Sequence, residues 1–249
     1  MQSIKICSIG ISDDEEAIIG LAIGLFIISL WGLSLMFLFS LALSQVPIFW
    51  IAVAFVLQTF LYTGLFITAH DAMHGVVYPK EPKINNFVGS LALLVYGLFS
   101  YKELLKKHHL HHRFPSSEQD PDFHDLKHKD FVSWYLYFMK NYWSWTRLMG
   151  LALIFIILHF PLLVPIANIA LFWIIPSLLS SVQLFYFGTF LTHREPSGGY
   201  TNPHRAESTS FSVFWSFITC YHFGYHEEHH QYPNVPWWKL PQVRKQHSY

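Results

Sequence analysis

The residues of this chain best suited to chemistry are its histidines, sixteen in 249 residues. His70 and His74 stand four apart in HDAMH. His108, His109, His111 and His112 form HHLHH, and His222, His226, His229 and His230 lie in HFGYHEEHH. His193 closes a long apolar stretch. Spacings of three and four put side chains on one face of a helix, so each group can aim several imidazoles at one point. Neutral imidazole is a ligand for iron, copper, zinc and nickel. One tetrahedral zinc takes three or four ligands, whereas this many well-placed histidines suit two metals with open positions. His124, His128, His159, His204 and His247 stand apart and read as ordinary interfacial or hydrogen-bonded residues.

Convergence of this kind needs rigid elements, and the composition says what they are. Only 13% of the residues are charged, against about 25% in an average soluble domain. No Asp, Glu, Lys or Arg occurs from Ala17 to His70, nor from Leu148 to His193. These uncharged blocks predict an all-α integral membrane protein. A crossing helix needs about 20 apolar residues, so spans are expected near 18–43, 48–69, 148–163 and 167–191, paired in two hairpins. Ser12 and Glu15, with Asp13, Asp14 and Glu16, read as a capping box and acidic first turn for the first span. The Ile84–Phe99 stretch is short for a span and is expected as an interfacial or re-entrant helix. No Lys or Arg lies in either hairpin turn, so the positive-inside rule puts both termini and every histidine group on the cytoplasmic side. Residues 194–249 are expected as a histidine-rich cytoplasmic cap, with Trp237 and Trp238 in an interfacial belt. The chain reads as a single domain, 1–249.

Other classes lose support. Sixteen basic and sixteen acidic residues cancel, which leaves no charge for a nucleic-acid partner. Cys7 and Cys220 alone build neither a disulfide framework nor a cysteine-based metal site. His226–His230 satisfies the H-E-x-x-H pattern of a zinc protease with Glu227 as base, but that reading leaves the first two groups without a purpose. A metal carrier would place ionisable residues within its spans.

The three boxes His70/His74, His108/His111/His112 and His226/His229/His230 on a four-span chain resemble the membrane desaturase and hydroxylase superfamily. The resemblance implies a non-haem centre of two iron ions, with O2 as co-substrate. It also implies His193 as a further ligand, with His222 and His109 held as additional candidates. The segment HDAMHG and the ending HFGYHEEHHQYPNVPWWKLP resemble bacterial and cyanobacterial beta-carotene ketolases. That narrower resemblance implies two successive hydroxylations at the C4 methylene of a beta-ionone ring, then loss of water to a ketone, as in echinenone and canthaxanthin. A carotenoid hydroxylase or fatty-acid desaturase would use the same centre. The carotenoid would come from the surrounding lipid bilayer. Electrons would come from a separate ferredoxin-like donor, since no dinucleotide fingerprint or cysteine-ligated cluster is present.

Ligand imidazoles need acceptors for their second ring nitrogen. Asp71, Asp120, Asp122, Glu227 and Glu228 are candidates, with Asp71, inside the first box, foremost. Phe211, Phe214, Trp215, Phe217 and Tyr221 are expected as ordinary aromatic residues of a membrane interface, with a polyene-facing pocket as the lesser alternative. Gly64, Gly97 and Gly188 are expected to permit close packing or line a narrow channel.

Overall fold

Ser12 opens the first helix as the local pattern requires. Its hydroxyl accepts from the Glu15 amide at 3.3 Å, and its own amide donates to Glu15 Oε2 at 2.8 Å. The computed structural model describes residues 12–247, so Lys5 and Cys7 lie outside it. Three helices are long and apolar enough to cross a membrane: α1 (Asp13–Phe39), α2 (Ile48–Met73) and α7 (Ile166–His193). A short turn at Leu43–Gln45 joins the first two. The Asn168 amide, in the first turn of α7, donates to the carbonyls of Leu38 and Leu41 at 2.8 and 2.9 Å. It thereby satisfies acceptors that the end of α1 would leave open in lipid.

The elements between α2 and α7 are two bent pairs. Helices α3 (Pro82–Gly97) and α4 (Tyr101–Arg113) meet at 101°, and α5 (Phe131–Asn141) and α6 (Trp145–His159) at 91°. Counting each pair as one span gives five candidates, so the chain has three to five. Leu98, at φ +57°, turns the chain after α3, and the Ser100 hydroxyl caps α4 by accepting from the Glu103 amide at 3.4 Å. Asn85 Nδ2 and Tyr101 Oη both donate to the Ala72 carbonyl, at 2.8 and 2.7 Å, fastening this corner to the end of α2. The expected span 148–163 is realised as α6, which Ser144 caps at Trp145 and which stops at His159, before Pro161. At 15 residues it is shorter than a full crossing.

Helix α7 contains two π-helical stretches, Ala170–Ile174 and Tyr186–Phe190. Pro176 follows the first and lacks the amide that a regular helix would bond. The second holds Gly188 and leads to His193, and such wide turns commonly mark functional sites. Beyond it come α8 (Val213–Cys220), α9 (His226–Gln231) and α10 (Leu240–His247). No strand occurs among the described residues. Tyr221 and His222, at φ +48° and +60°, end α8 and reverse the chain toward α9. Trp237 is expected in an interfacial belt, but its ring packs 5.1 Å from that of Tyr221 and its amide donates to Asp71 Oδ2 at 3.1 Å. Lys239 pairs with Glu16, so the C-terminal segment is strapped across the ends of α1 and α2.

Candidate metal centre

Helices α2, α4, α7 and α9 deliver nine histidines to one place, in two groups. The first is His70, His74, His108, His112 and His229; the second is His111, His193, His226 and His230. Within each group, one ligand atom from every residue lies within 4.8 Å of all the others. Helical spacing explains the sorting. On α4, His108 and His112 stand i, i+4 and serve the first group, while His111 between them serves the second. On α9, His226 and His230 stand i, i+4 and serve the second, while His229 serves the first. The groups touch where His112 and His230 stack, with ring centroids 4.1 Å apart.

Within each group the ring nitrogens face one another closely. Nε2 to Nε2 distances are 2.6 Å for His74 and His108 and 3.0 Å for His112 and His229. In the second group, His230 Nε2 is 3.1 Å from His111 Nε2 and 3.2 Å from His226 Nε2. Two nitrogens each about 2.1 Å from one ion, at right angles, stand about 3.0 Å apart. Buried His70 Nε2 and His193 Nε2 have no hydrogen-bond partner. A neutral imidazole has one proton to give, so several nitrogens facing one point leave lone pairs opposed, and a cation satisfies them together. Burial first, then neighbouring imidazoles, holds His226, His229 and His230 well below the usual histidine range. They are therefore neutral donors near pH 7. The donor set fits a metal centre.

Acceptors behind the rings differ from expectation. Asp120, rather than Asp71, makes the direct carboxylate contact: His111 Nδ1 donates to both its oxygens at 3.0 Å. Asp120 is itself held by the amides of Ser116 and Asp122, each at 2.9 Å. Burial opposes its ionisation, but the His111 charge and hydrogen bond, with the Asp122 amide, hold its carboxyl below the ordinary value. Asp71 Oδ1 is 3.7 Å from His70 Nδ1, beyond hydrogen-bond range. His193 Nδ1 donates to the Arg205 carbonyl at 2.9 Å. Glu228 is engaged by Ser208 and Arg244. The side chain of Glu227 is half-buried and makes no hydrogen bond among the described residues. Of the additional candidates, His109 is exposed, and His222 is buried beside Tyr225 and Trp237; both lie outside the two groups.

A cavity of about 210 Å³ reaches the histidines from the side of α6 and α7. Its outer wall includes Leu151 and the exposed Leu178, and its inner wall includes His70 and His108 of one group and His111 and His226 of the other. None of the aromatic residues at 211–221 lines it, in keeping with the interfacial reading. Phe214 and Trp215 are largely exposed, and Tyr221 stacks on Phe60 at 4.2 Å. Phe66, Tyr96, Phe99, Phe138, Phe185 and Phe223 line the cavity instead. They come from five separate segments, and no local pattern marks them. Gly97 and Gly188 do line it, whereas Gly64 accommodates the Tyr221 hydroxyl, 2.6 Å from where a Cβ would stand.

Sequence comparison places this architecture. The fatty acid desaturase family matches residues 44–149 and 138–248. The chain belongs to that family, and it is an oxidoreductase of the membrane oxygenase kind. Its relatives include the beta-carotene ketolase of Paracoccus sp. (strain PC1), 44% identical over 189 residues, covering 75% of this chain and 76% of that one. The beta-carotene ketolase of Haematococcus lacustris is 39% identical over 204 residues, 78% of this chain and 62% of its own. The zeaxanthin 4-ketolase of Chlamydomonas reinhardtii is 38% identical over 234 residues, 92% of this chain and 52% of its own. No solved structure matches significantly.

Proposed function

We propose that this chain is a beta-carotene 4-ketolase that converts the C4 methylene of a beta-ionone ring to a ketone through two hydroxylations and loss of water. The observation that carries the reading is the cavity, whose largely apolar lining includes histidines of both groups. A slender ring held in it would lie against histidines of both groups. Two irons, one per group, would supply activation of dioxygen and of the ring C–H bond. The five and four histidines would hold them, and Asp120 would keep the His111 ring oriented and basic. Phe66, Tyr96, Phe99 and Phe138 exclude water from the reacting ring. A separate ferredoxin-like donor supplies an electron pair for each hydroxylation. The similarity to ketolases favours this outcome over ring hydroxylation or desaturation, which the same centre would serve.

Expression in a bacterium engineered to make beta-carotene, followed by pigment chromatography, tests the reading. A C4 ketone is the expected product, with iron bound at both groups after anaerobic loading. A 3-hydroxylated product alone would make the chain a hydroxylase. One zinc per chain without iron-dependent activity would remove the di-iron centre and revive the Glu227 protease reading.

In the same reading, α1, α2, α6 with its α5 extension, and α7 form four spans in two hairpins, and α3 is re-entrant. The histidines then share the cytoplasmic side with the Lys and Arg residues. Reporter fusions after positions 105 and 200 should both report cytoplasm, and one near Gln45 the opposite side. A far-side signal at 105 would sink this topology.

A further inference from the structure

The cavity wall carries an acidic side chain where an all-apolar substrate has no use for one. Asp122 lines the cavity together with His111, and its Oδ2 lies 3.8 Å from His111 Nδ1, the nitrogen behind the one that faces the other imidazoles. Oδ1 accepts from the Tyr142 hydroxyl, and Tyr142 lines the same cavity. Oδ2 receives no hydrogen bond among the described residues; His111 gives its proton to Asp120 instead.

The pair is held in place. The Asp122 amide donates to Asp120 Oδ1 at 2.9 Å, and its carbonyl accepts from Trp134 Nε1 at 2.9 Å. The neighbouring Pro121 carbonyl accepts from Asn141 Nδ2 at 2.9 Å. Several other polar groups of the wall make hydrogen bonds within the protein. Ser177 and Ser181 give their hydroxyls to their own helix, at 2.8 and 2.7 Å, and Arg147 gives its guanidinium to the Tyr142 carbonyl at 2.7 Å.

We infer that Asp122, braced by Tyr142, is a specificity-determining residue that accepts a hydrogen bond from a hydroxyl at ring carbon C3 of the substrate. This rests on the ketolase reading, in which the oxidised carbon is C4, the neighbour of C3. A group that reads C3 must therefore stand beside the metal ligands, as Asp122 does. A carboxylate oxygen facing an apolar ring without a donor carries an uncompensated desolvation cost, which a ring hydroxyl removes. The chain would then act on 3-hydroxylated beta-rings in preference to unsubstituted ones.

The test is competition in iron-loaded membranes between beta-carotene and its 3-hydroxylated counterpart, read as the ratio of kcat/KM. Wild type should favour the hydroxylated ring by about 10- to 100-fold, the value of one hydrogen bond to a charged group. In Asp122→Leu the ratio should fall to near one, and Asp122→Asn, which keeps an acceptor, should restore part of it. A second measurement needs no variant: the 3-O-methyl ether, which cannot donate, should lose the preference in wild type. An unchanged ratio in iron-bound Asp122→Leu, or a methyl ether as good as the alcohol, would overturn the inference while leaving the ketolase reading intact. Absence of ketone from every substrate in wild type would instead remove the ketolase reading.

Discussion

Membranes containing His230→Ala should make no detectable ketone and should retain less iron than wild type. His230 Nε2 faces both His111 and His226 within 3.2 Å, and its ring stacks on His112 of the other group at 4.1 Å. Alanine removes one imidazole of four from the second group and uncovers the neighbouring group. The loss should exceed the roughly 10- to 100-fold that changes behind a ligand typically cost. A graded series separates ligation from support. Asp120→Asn keeps all nine imidazoles but weakens the acceptor behind His111, so it should fall within that roughly 10- to 100-fold range, with iron affinity lowered. Glu227→Gln should stay close to wild type, because the Glu227 side chain makes no hydrogen bond among the described residues. Abolition of activity by Glu227→Gln, with His230→Ala still active, would reverse the assignment toward a zinc hydrolase. Iron content and pigment yield from the same preparations decide it.

Gly188→Leu should abolish turnover by a different route, with the metal still bound. A Cβ at position 188 would stand 2.1 Å from Phe223 Cε1 and 2.4 Å from Cδ1. The Phe223 ring has little room to retreat, since its centroid is 4.9 Å from that of His70 and 5.1 Å from that of His226. The larger side chain must push this ring, or itself, into the inner cavity. A displacement of about 1 Å at the reacting end can cost about 100-fold in rate, and a filled cavity costs more. The matched control is Gly32→Leu on α1, where an added Cβ meets nothing within 4 Å. That variant should retain wild-type yield. If Gly188→Leu lost its iron along with activity, Gly188 would be supporting the metal groups rather than shaping the cavity.

The two variants probe features of unequal legibility. Eight of the nine histidines were readable because helical spacing is a local property: His108, His111 and His112 must project from adjacent positions of one turn wherever α4 lies, whereas His193 stands alone and was implied only by the resemblance. The membrane-crossing helices were readable for a similar reason, since charge-free runs of this length have no soluble home. The acceptor behind His111 was not. Asp120 reaches it only because the chain after α4 folds back through Ser116, at φ +51°, and binds the carboxylate with two amides. Asp71 was the nearer choice in sequence, but its Oδ2 is engaged by the Trp237 amide from the far end of the chain. The aromatic lining of the cavity was equally hidden, because Phe66, Phe138 and Phe223 become neighbours only through the bends of α3–α4 and α5–α6.

By itself, the sequence determined that imidazoles in helical register gather at the ends of apolar helices, a consequence of the 3.6-residue turn and of the cost of charge in lipid. Only the tertiary structure decided how they divide. Helices α4 and α9 each send imidazoles to both groups, so the split into five and four depends on the angle and depth at which those helices meet α2 and α7. Packing sets that angle. The Ala72 carbonyl, held by Asn85 and Tyr101, and the place Gly188 leaves for Phe223 are contacts between residues far apart in the chain, and no spacing rule encodes them.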